Sequence, residues 1–402
     1  MKHERPSPAM LALACGGVVL MLSLGIRHGF GLFLKPMSMD LGWGRETFAF
    51  AVALQNLVWG LSQPVTGMLA DRYGAWKMVA AGGLCYALGL LVMASATSPW
   101  SLGMGAGVLV GLGLSGTSFS VIYGVLGRAF PASKRSQVLG IAGAAGSFGQ
   151  FVLLPAEQGL ISSLGWLPAL LALSFAAALM VPLAAGVVER DAGAHQARGL
   201  TVREALAEVA RSRDFWLLCF GFFVCGFQVV FIQVHLPAYL VDGGLSGNVG
   251  VGALALIGLF NIAGTYGAGR LGARHRKPML LSVIYALRGV VIGIFLLAPL
   301  SAWSAWLFAA AMGLLWLSTV PLTNGTIASQ FGVRHLSMLS GIVFLFHQIG
   351  SFAGAWFGGV LYDRTGSYGA VWAIAIGLSA TATALNWPIR ERALGAMARE
   401  GA

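Results

Sequence analysis

Two arginines and one glutamate lie inside long apolar stretches of this 402-residue chain. Arg288 stands about ten residues into its stretch, a climb of roughly 15 Å at 1.5 Å per residue, or half the thickness of a hydrocarbon core. A guanidinium at that depth costs about 2.5–3.5 kcal/mol on insertion scales, so it is expected to face a cavity or a partner. Arg27, with His28 beside it, lies nearer the end of the first stretch and within reach of an interface. Glu157, two residues after Pro155, is the only carboxylate well inside a stretch. Two roles are open to it: carrying a proton, or neutralising Arg27. A planar guanidinium holds a carboxylate by two parallel hydrogen bonds. Two buried arginines against one buried acid therefore point to a small organic anion as ligand. Arg288, with no acid in its own stretch, is expected to be completed by a substrate carboxylate, or by Glu157 when the site is empty.

Neutral polar residues surround these charges: Gln55, Asn56, Gln63, Tyr123, Gln150, Gln228, Gln233, His235, Asn261, Tyr285, Asn324, His347 and Gln348. Any of them serves equally as glue between helices, at about 0.6 kcal/mol each. Glu157, His235 and His347 are the candidates for moving a proton. No His/Cys/Asp group has the spacing of a metal site, and the four cysteines fall in apolar stretches as small core residues. No nucleophile–base arrangement and no ATP-binding loop is present, so neither an enzyme nor a resident cofactor is expected, and any pumping must draw on a gradient.

The elements that position these residues follow from composition. The chain is 57% hydrophobic and 10% charged, with mean hydropathy +0.79; soluble domains average about 25% charged. Apolar runs fall near 9–34, 47–70, 77–97, 100–127, 136–161, 166–188, 214–240, 249–271, 278–298, 302–329, 336–361 and 368–388, each long enough to cross a bilayer as a helix. The first is too long for a signal peptide. The expected fold is all-α and integral to the membrane, with twelve transmembrane helices in two six-helix halves. Links after even-numbered runs, with the terminal segments, hold 20 of the 25 lysines and arginines, and the opposite links hold three, Lys35, Arg45 and Arg364. Basic links stay inside, so both termini are expected to face the cytoplasm. The basic residues sit in these links, so the net charge of +11 signals topology and not nucleic acid.

One link is long. Residues 189–213 form a polar linker that divides the chain into 1–188 and 214–402, and Thr201 to Arg211 opens with a capping-box pattern and is expected to form a short surface helix. The two parts echo each other at an offset near 202: Gly67-Met68-Leu69-Ala70-Asp71-Arg72 with Gly269-Arg270-Leu271-Gly272-Ala273-Arg274, and Gly146-Ser147-Phe148 with Gly350-Ser351-Phe352. A parallel repeat places a binding site between its halves near the midplane. Glycines spaced by three or four (Gly103, Gly107, Gly111; Gly140, Gly143, Gly146, Gly149; Gly350, Gly354, Gly358) mark faces for close helix packing, or surfaces on which helices slide.

Here the sequence resembles the major facilitator superfamily along its whole length. The motif that carries the likeness is Gly67-x-Leu69-x-Asp71-Arg72-x-Gly74 followed by Lys77; it departs at Ala75-Trp76, where the family usually has a basic residue. Phe33-Leu34-Lys35-Pro36, the glycine-rich fifth run and Gly358-Gly359-Val360-Leu361-Tyr362-Asp363-x-Thr365-Gly366-Ser367-Tyr368 make it most similar to the monocarboxylate and oxalate/formate porters. The resemblance implies that runs one, four, seven and ten line a central cavity, which singles out Arg27, His28, Tyr123, Gln228, His235 and Asn324. It implies that Gly67, Asp71 and Arg72 belong to a cytoplasmic gate. Many monocarboxylate porters carry an Asp and an Arg one turn apart in the eighth span; the corresponding positions look like Asn261 and Thr265. The expected function is a proton-coupled secondary transporter of a small, monocarboxylate-like anion, monomeric in a plasma membrane (the inner membrane of a bacterium). The alternative is an exporter of drugs or apolar metabolites with the same fold.

Overall fold

The computed structural model describes residues 8–130, 132–187, 202–331 and 336–391. Among these the ordered elements are all helices. Ten segments are long and apolar enough to cross a membrane, and Arg45–Tyr73 and Ala132–Leu164, at 29 and 33 residues, have the length to do so. These twelve match the twelve apolar runs. Large side chains such as Phe175, Ile294 and Leu307 stand on the outside, where lipid tails solvate them as a core would. An even number of crossings brings the two described chain ends, Pro8 and Glu391, to one face of the bundle, the terminal face; the opposite one is the far face.

Among the described residues several spans are interrupted partway along, three of them beside polar side chains. The first consists of Pro8–His28 and Phe30–Leu41, joined at Gly29. It runs past the expected end at 34 because Lys35 finds an acid, Asp242, beyond the apolar layer. The fourth is interrupted at Ser118, between Val110–Thr117 and Phe119–Ala129. The tenth is interrupted after Ala302–Leu315 and resumes at Thr319–Phe331. Span seven, Arg213–Asp242, is continuous. A break in a membrane helix frees backbone groups that must be satisfied from neighbouring spans, and each break gathers polar side chains for that reason.

The glycine faces are closely packed within each half. A side chain on Gly149 would strike the backbone of Met21, and one on Gly350 the backbone of Phe223. Met21 and Phe223 lie 202 residues apart, Gly149 and Gly350 lie 201 apart, so span five meets span one as span eleven meets span seven. Gly107 and Gly111 likewise lie against Leu54, Gln55 and Val58 of span two. The helix contacts thus repeat, but they pair Gly350 with Gly149 and not with Gly146, the partner expected from the sequence.

The linker's helix is present as Val202–Arg211. Val209 is buried, and the Trp216 indole donates to the Ala210 carbonyl at 3.0 Å. Thr201 and residues 188–200 lie outside the described residues. Asp214, at the start of span seven, accepts from the Arg390 amide at 3.1 Å and Gln330 Nε2 at 3.3 Å, tying three spans together at the terminal face.

Candidate functional site

Arg27 is the last residue but one of the first helix of span one, two residues before the break at Gly29, and so lies near the middle of that long span and not in its outer third. The residue is 6% exposed. Nη2 donates to Asn56 Oδ1 of span two at 2.6 Å, and Nη1 to Gln233 Oε1 of span seven at 3.3 Å. Gln233 Nε2 donates back to the Arg27 carbonyl at 3.0 Å. The guanidinium carbon lies 5.1 Å from the centroid of the Trp59 ring, whose indole nitrogen donates to Gln63 Oε1 at 2.8 Å. The Arg27 Nε has no partner. A guanidinium has five donors; here it meets two neutral acceptors and no carboxylate. His28 turns back on its own helix, with Nδ1 2.5 Å from the Leu24 carbonyl oxygen.

Glu157 is wholly buried, and neither of its carboxyl oxygens has a partner. It lies against Gly29: a side chain there would overlap Glu157 Oε2. Neither Arg27 nor Arg288 is within ion-pair distance of it, so the expectation that Glu157 neutralises an arginine is not met in this conformation.

Arg288 is also wholly buried, but its donors are taken. Nη2 donates to the carbonyls of Leu315, at 2.7 Å, and Trp316. Nε also reaches the Leu315 carbonyl, at 3.2 Å, and Nη1 reaches Gln228 Oε1 at 3.4 Å. These carbonyls are released by the break in span ten, and a cation suits the negative end of a helix. On the other side of the break, Asn261 Oδ1 accepts the Leu317 amide at 3.0 Å. Spans nine and eight thus cap the two sides of one break. The expectation of Arg288 as an anion anchor gives way to a structural duty, because its partners are backbone carbonyls and a glutamine. Gln228 shares that duty, donating to the Ala375 carbonyl at 2.9 Å and Ser379 Oγ at 2.6 Å.

His235 belongs to a different place. Its Nε2 lies 2.7 Å from the Ala355 carbonyl oxygen and its Nδ1 3.2 Å from the Tyr368 hydroxyl, and that hydroxyl accepts from Arg45 at 2.9 Å. Arg45 grips Asp242 through both terminal nitrogens, at 2.6 and 2.9 Å, with Lys35 on the same carboxylate at 3.1 Å. The Arg45 guanidinium carbon lies 3.8 Å from the Tyr362 ring centroid. Asp363 accepts the backbone amides of Arg45 and Glu46 at 3.1 and 2.8 Å. This network joins the halves at the far face. Sequence reading missed Asp242 and Asp363 as its acids. The available signal was that Lys35, Arg45 and Arg364 are the only basic residues in the links on that side.

Among the described residues, hydrogen bonds between the halves run from the middle of the bundle, at Asn261–Ser147 and Gln150–Leu254, to this far-face network. Toward the terminal face, Arg72 is exposed with its guanidinium carbon 5.3 Å from the Tyr73 ring centroid, and a side chain on Gly67 would meet nothing within 4 Å. The Asp71 side chain lies outside the described residues. Tyr123 packs its hydroxyl on Gly143 and its ring 5.1 Å from Phe119. Asn324 is half-buried. His347 Nδ1 lies 3.1 Å from Gln348 Oε1. Arg27 and His28 thus directly precede the break in span one and Glu157 lies against it, with the Arg27 guanidinium turned toward spans two and seven, while Tyr123, Gln228, His235, Arg288, Asn324 and His347 are distributed elsewhere. Asn56, Gln233 and Trp59 complete the Arg27 pocket; their polar or aromatic character inside apolar runs was visible, but their shared target was not.

Comparison with known proteins agrees with this architecture. The family described as Major Facilitator Superfamily matches residues 13–355. "Monocarboxylate transporter 11" of Mus musculus is 28% identical over 361 residues, covering 87% of this chain and 80% of its own length. The "Uncharacterized MFS-type transporter YcxA" of Bacillus subtilis is 27% identical, covering 88% and 89%. In fold, the chain is similar to a bacterial homologue of the human lysosomal transporter Spinster, solved in an inward-facing and occupied conformation: TM-score 0.73 at 14% identity, over 96% of this chain and 95% of that one. The chain belongs to the major facilitator superfamily, a family of integral membrane transporters, and its relatives set it beside the monocarboxylate transporters.

Proposed function

We propose that this protein is a secondary active transporter that carries a small, monocarboxylate-like anion by alternating access together with a proton. The observation behind this reading is Arg27: a buried guanidinium near mid-membrane, between the halves, with an unpartnered Nε and only neutral acceptors. Leaving such a charge without a counter-ion is costly, and a carboxylate offers the matching fork. The printed names of the mouse and human relatives favour the same substrate class. The orientation follows from the basic links: both termini lie in the cytoplasm of a cell whose plasma membrane, or bacterial inner membrane, holds the protein as a monomer. The far-face network then closes the outside, and the exposed Arg72 fits a gate that is open toward the cytoplasm.

The test is uptake of radiolabelled mono- and dicarboxylates into proteoliposomes, with and without a pH gradient. Expected is accumulation of at least one monocarboxylate driven by the gradient, and its loss in Arg27→Gln. Transport of apolar metabolites with indifference to carboxylates and to Arg27 would replace this reading by the exporter.

A further inference from the structure

Glu157 is an acid buried without a partner, set against the hinge residue of span one. Its Oε2 fills the notch that Gly29 leaves by having no side chain, and neither oxygen is hydrogen-bonded. Burying a carboxylate without donors is far costlier than burying the neutral acid, so the packing describes a protonated Glu157. Two residues back along the same span, Arg27 holds a free Nε and no carboxylate.

We propose that Glu157 and the substrate carboxylate are alternative counter-ions of Arg27, so that Glu157 must take up a proton before the anion binds. This rests on the organic-anion reading above and names its coupling site. With the proton on, the acid lies in the Gly29 notch and the guanidinium is available to the anion. With the proton off, the carboxylate leaves the notch for Arg27 and excludes the anion. One proton moves from water to a Glu157 carboxyl oxygen as one monocarboxylate reaches Arg27, so the charge added to the site is zero.

The other groups around Glu157 leave it this role. On the elements packed against its helix are Arg27 and His28 of span one, Tyr123 of span four, and Tyr266 and Arg270 toward the terminal end of span eight. Tyr86 of span three donates to the Ser23 carbonyl at 3.0 Å. Farther along span one, Lys35 is held by Asp242 and Asp40 accepts from the Trp166 indole at 2.8 Å. His28 is held by the Leu24 carbonyl.

The experiment uses purified full-length protein, with lactate, formate and oxalate as probes. In weak buffer at a pH above the titration of Glu157, binding of a monocarboxylate is expected to take up about one proton, and in that range its affinity to fall about tenfold per pH unit, as linkage requires for one obligatory proton. In Glu157→Gln the proton uptake vanishes and the affinity becomes flat with pH, exceeding wild type at alkaline pH. Infrared spectra of the unliganded wild type show a protonated-carboxylic-acid stretch at neutral pH; this needs neither a variant nor a substrate. Absence of that stretch, or a pH dependence retained in Glu157→Gln, overturns the proposal. If none of the three probes binds, the organic-anion reading falls and the proposal with it; if they bind with neither proton uptake nor loss of affinity at alkaline pH, the reading stands and the proposal alone is lost.

Discussion

Asp242, the last residue of span seven, takes both terminal nitrogens of Arg45 from the opposite half, at 2.6 and 2.9 Å. The Asp242 side chain is 25% exposed and that of Arg45 11%, so water screens the pair, and its bidentate geometry is worth on the order of 1 kcal/mol. That is enough to shift a two-state equilibrium several-fold. Asp242→Asn should therefore raise the population in which the far face is open. A cysteine at Ala49, which packs on Gly359 of the opposite half, should react with a polar thiol reagent from the far side roughly three- to tenfold faster in that background. An unchanged rate would remove the pair from the closure.

Asp363 does a separate task in the same place. Its carboxylate accepts the first two amides of the helix Arg45–Tyr73, which a helix N-terminus cannot satisfy internally. Gly44, just before that helix, leaves room for it. Asp363→Ala should cost about 1 kcal/mol, as loss of a helix cap does, and should lower the Tm in detergent as well as speed labelling at Ala49. Asp363→Asn, which keeps an acceptor oxygen, should fall between the two. A change in labelling with no change in Tm would mean that the carboxylate acts on the gate alone.

Topology is tested through the linker and the far-face turns. Single cysteines placed between residues 189 and 213 should be modified only from the cytoplasm, and those at Gly243 or Ser301 only from outside. Modification of the linker from outside would reverse the orientation drawn from the basic residues.

The spans and their pairing were legible because they rest on simple requirements. A membrane helix must be apolar for its length, and a close helix crossing must have a small residue, so the glycines of spans five and eleven marked the crossings, although Gly149, and not the expected Gly146, stands where Gly350 does. Charge inside an apolar run likewise marked Arg27, Arg288 and Glu157 as residues that need partners. Which partners they find was not legible, because that depends on where helices break. Trp316-Leu317-Ser318 contains no proline or glycine to announce a break, yet the break there frees the Leu315 and Trp316 carbonyls that Arg288 satisfies. Gly29 reads as one more small residue until Glu157 is seen lying against it. Asp242 and Asp363 look like ordinary acids at span ends, and only packing of the halves aims them at Arg45.

The last prediction separates the two buried arginines. Arg288 satisfies the carbonyls of Leu315 and Trp316 at the break in span ten. Arg288→Gln leaves at least one of them buried and unpaired, a loss of about 1–3 kcal/mol for each carbonyl so left. The variant should show a lower Tm and a smaller monodisperse fraction in detergent, with Arg288→Lys intermediate because an ammonium can serve both carbonyls but lacks the planar fork. Protein that does fold should bind the transported anion with wild-type affinity under the proposal that Arg27 anchors it. Arg27→Gln should do the reverse: its acceptors, Asn56 and Gln233, can pair with the new amide, so the fold survives while anion binding is lost. Both variants need Tm and affinity measured on the same preparation, because poor yield alone would mimic lost transport. Should folded Arg288→Gln keep the wild-type Tm yet lose the anion, the assignments of the two arginines must be exchanged: Arg288 would leave its carbonyls to hold the substrate, and the break in span ten would be the moving part.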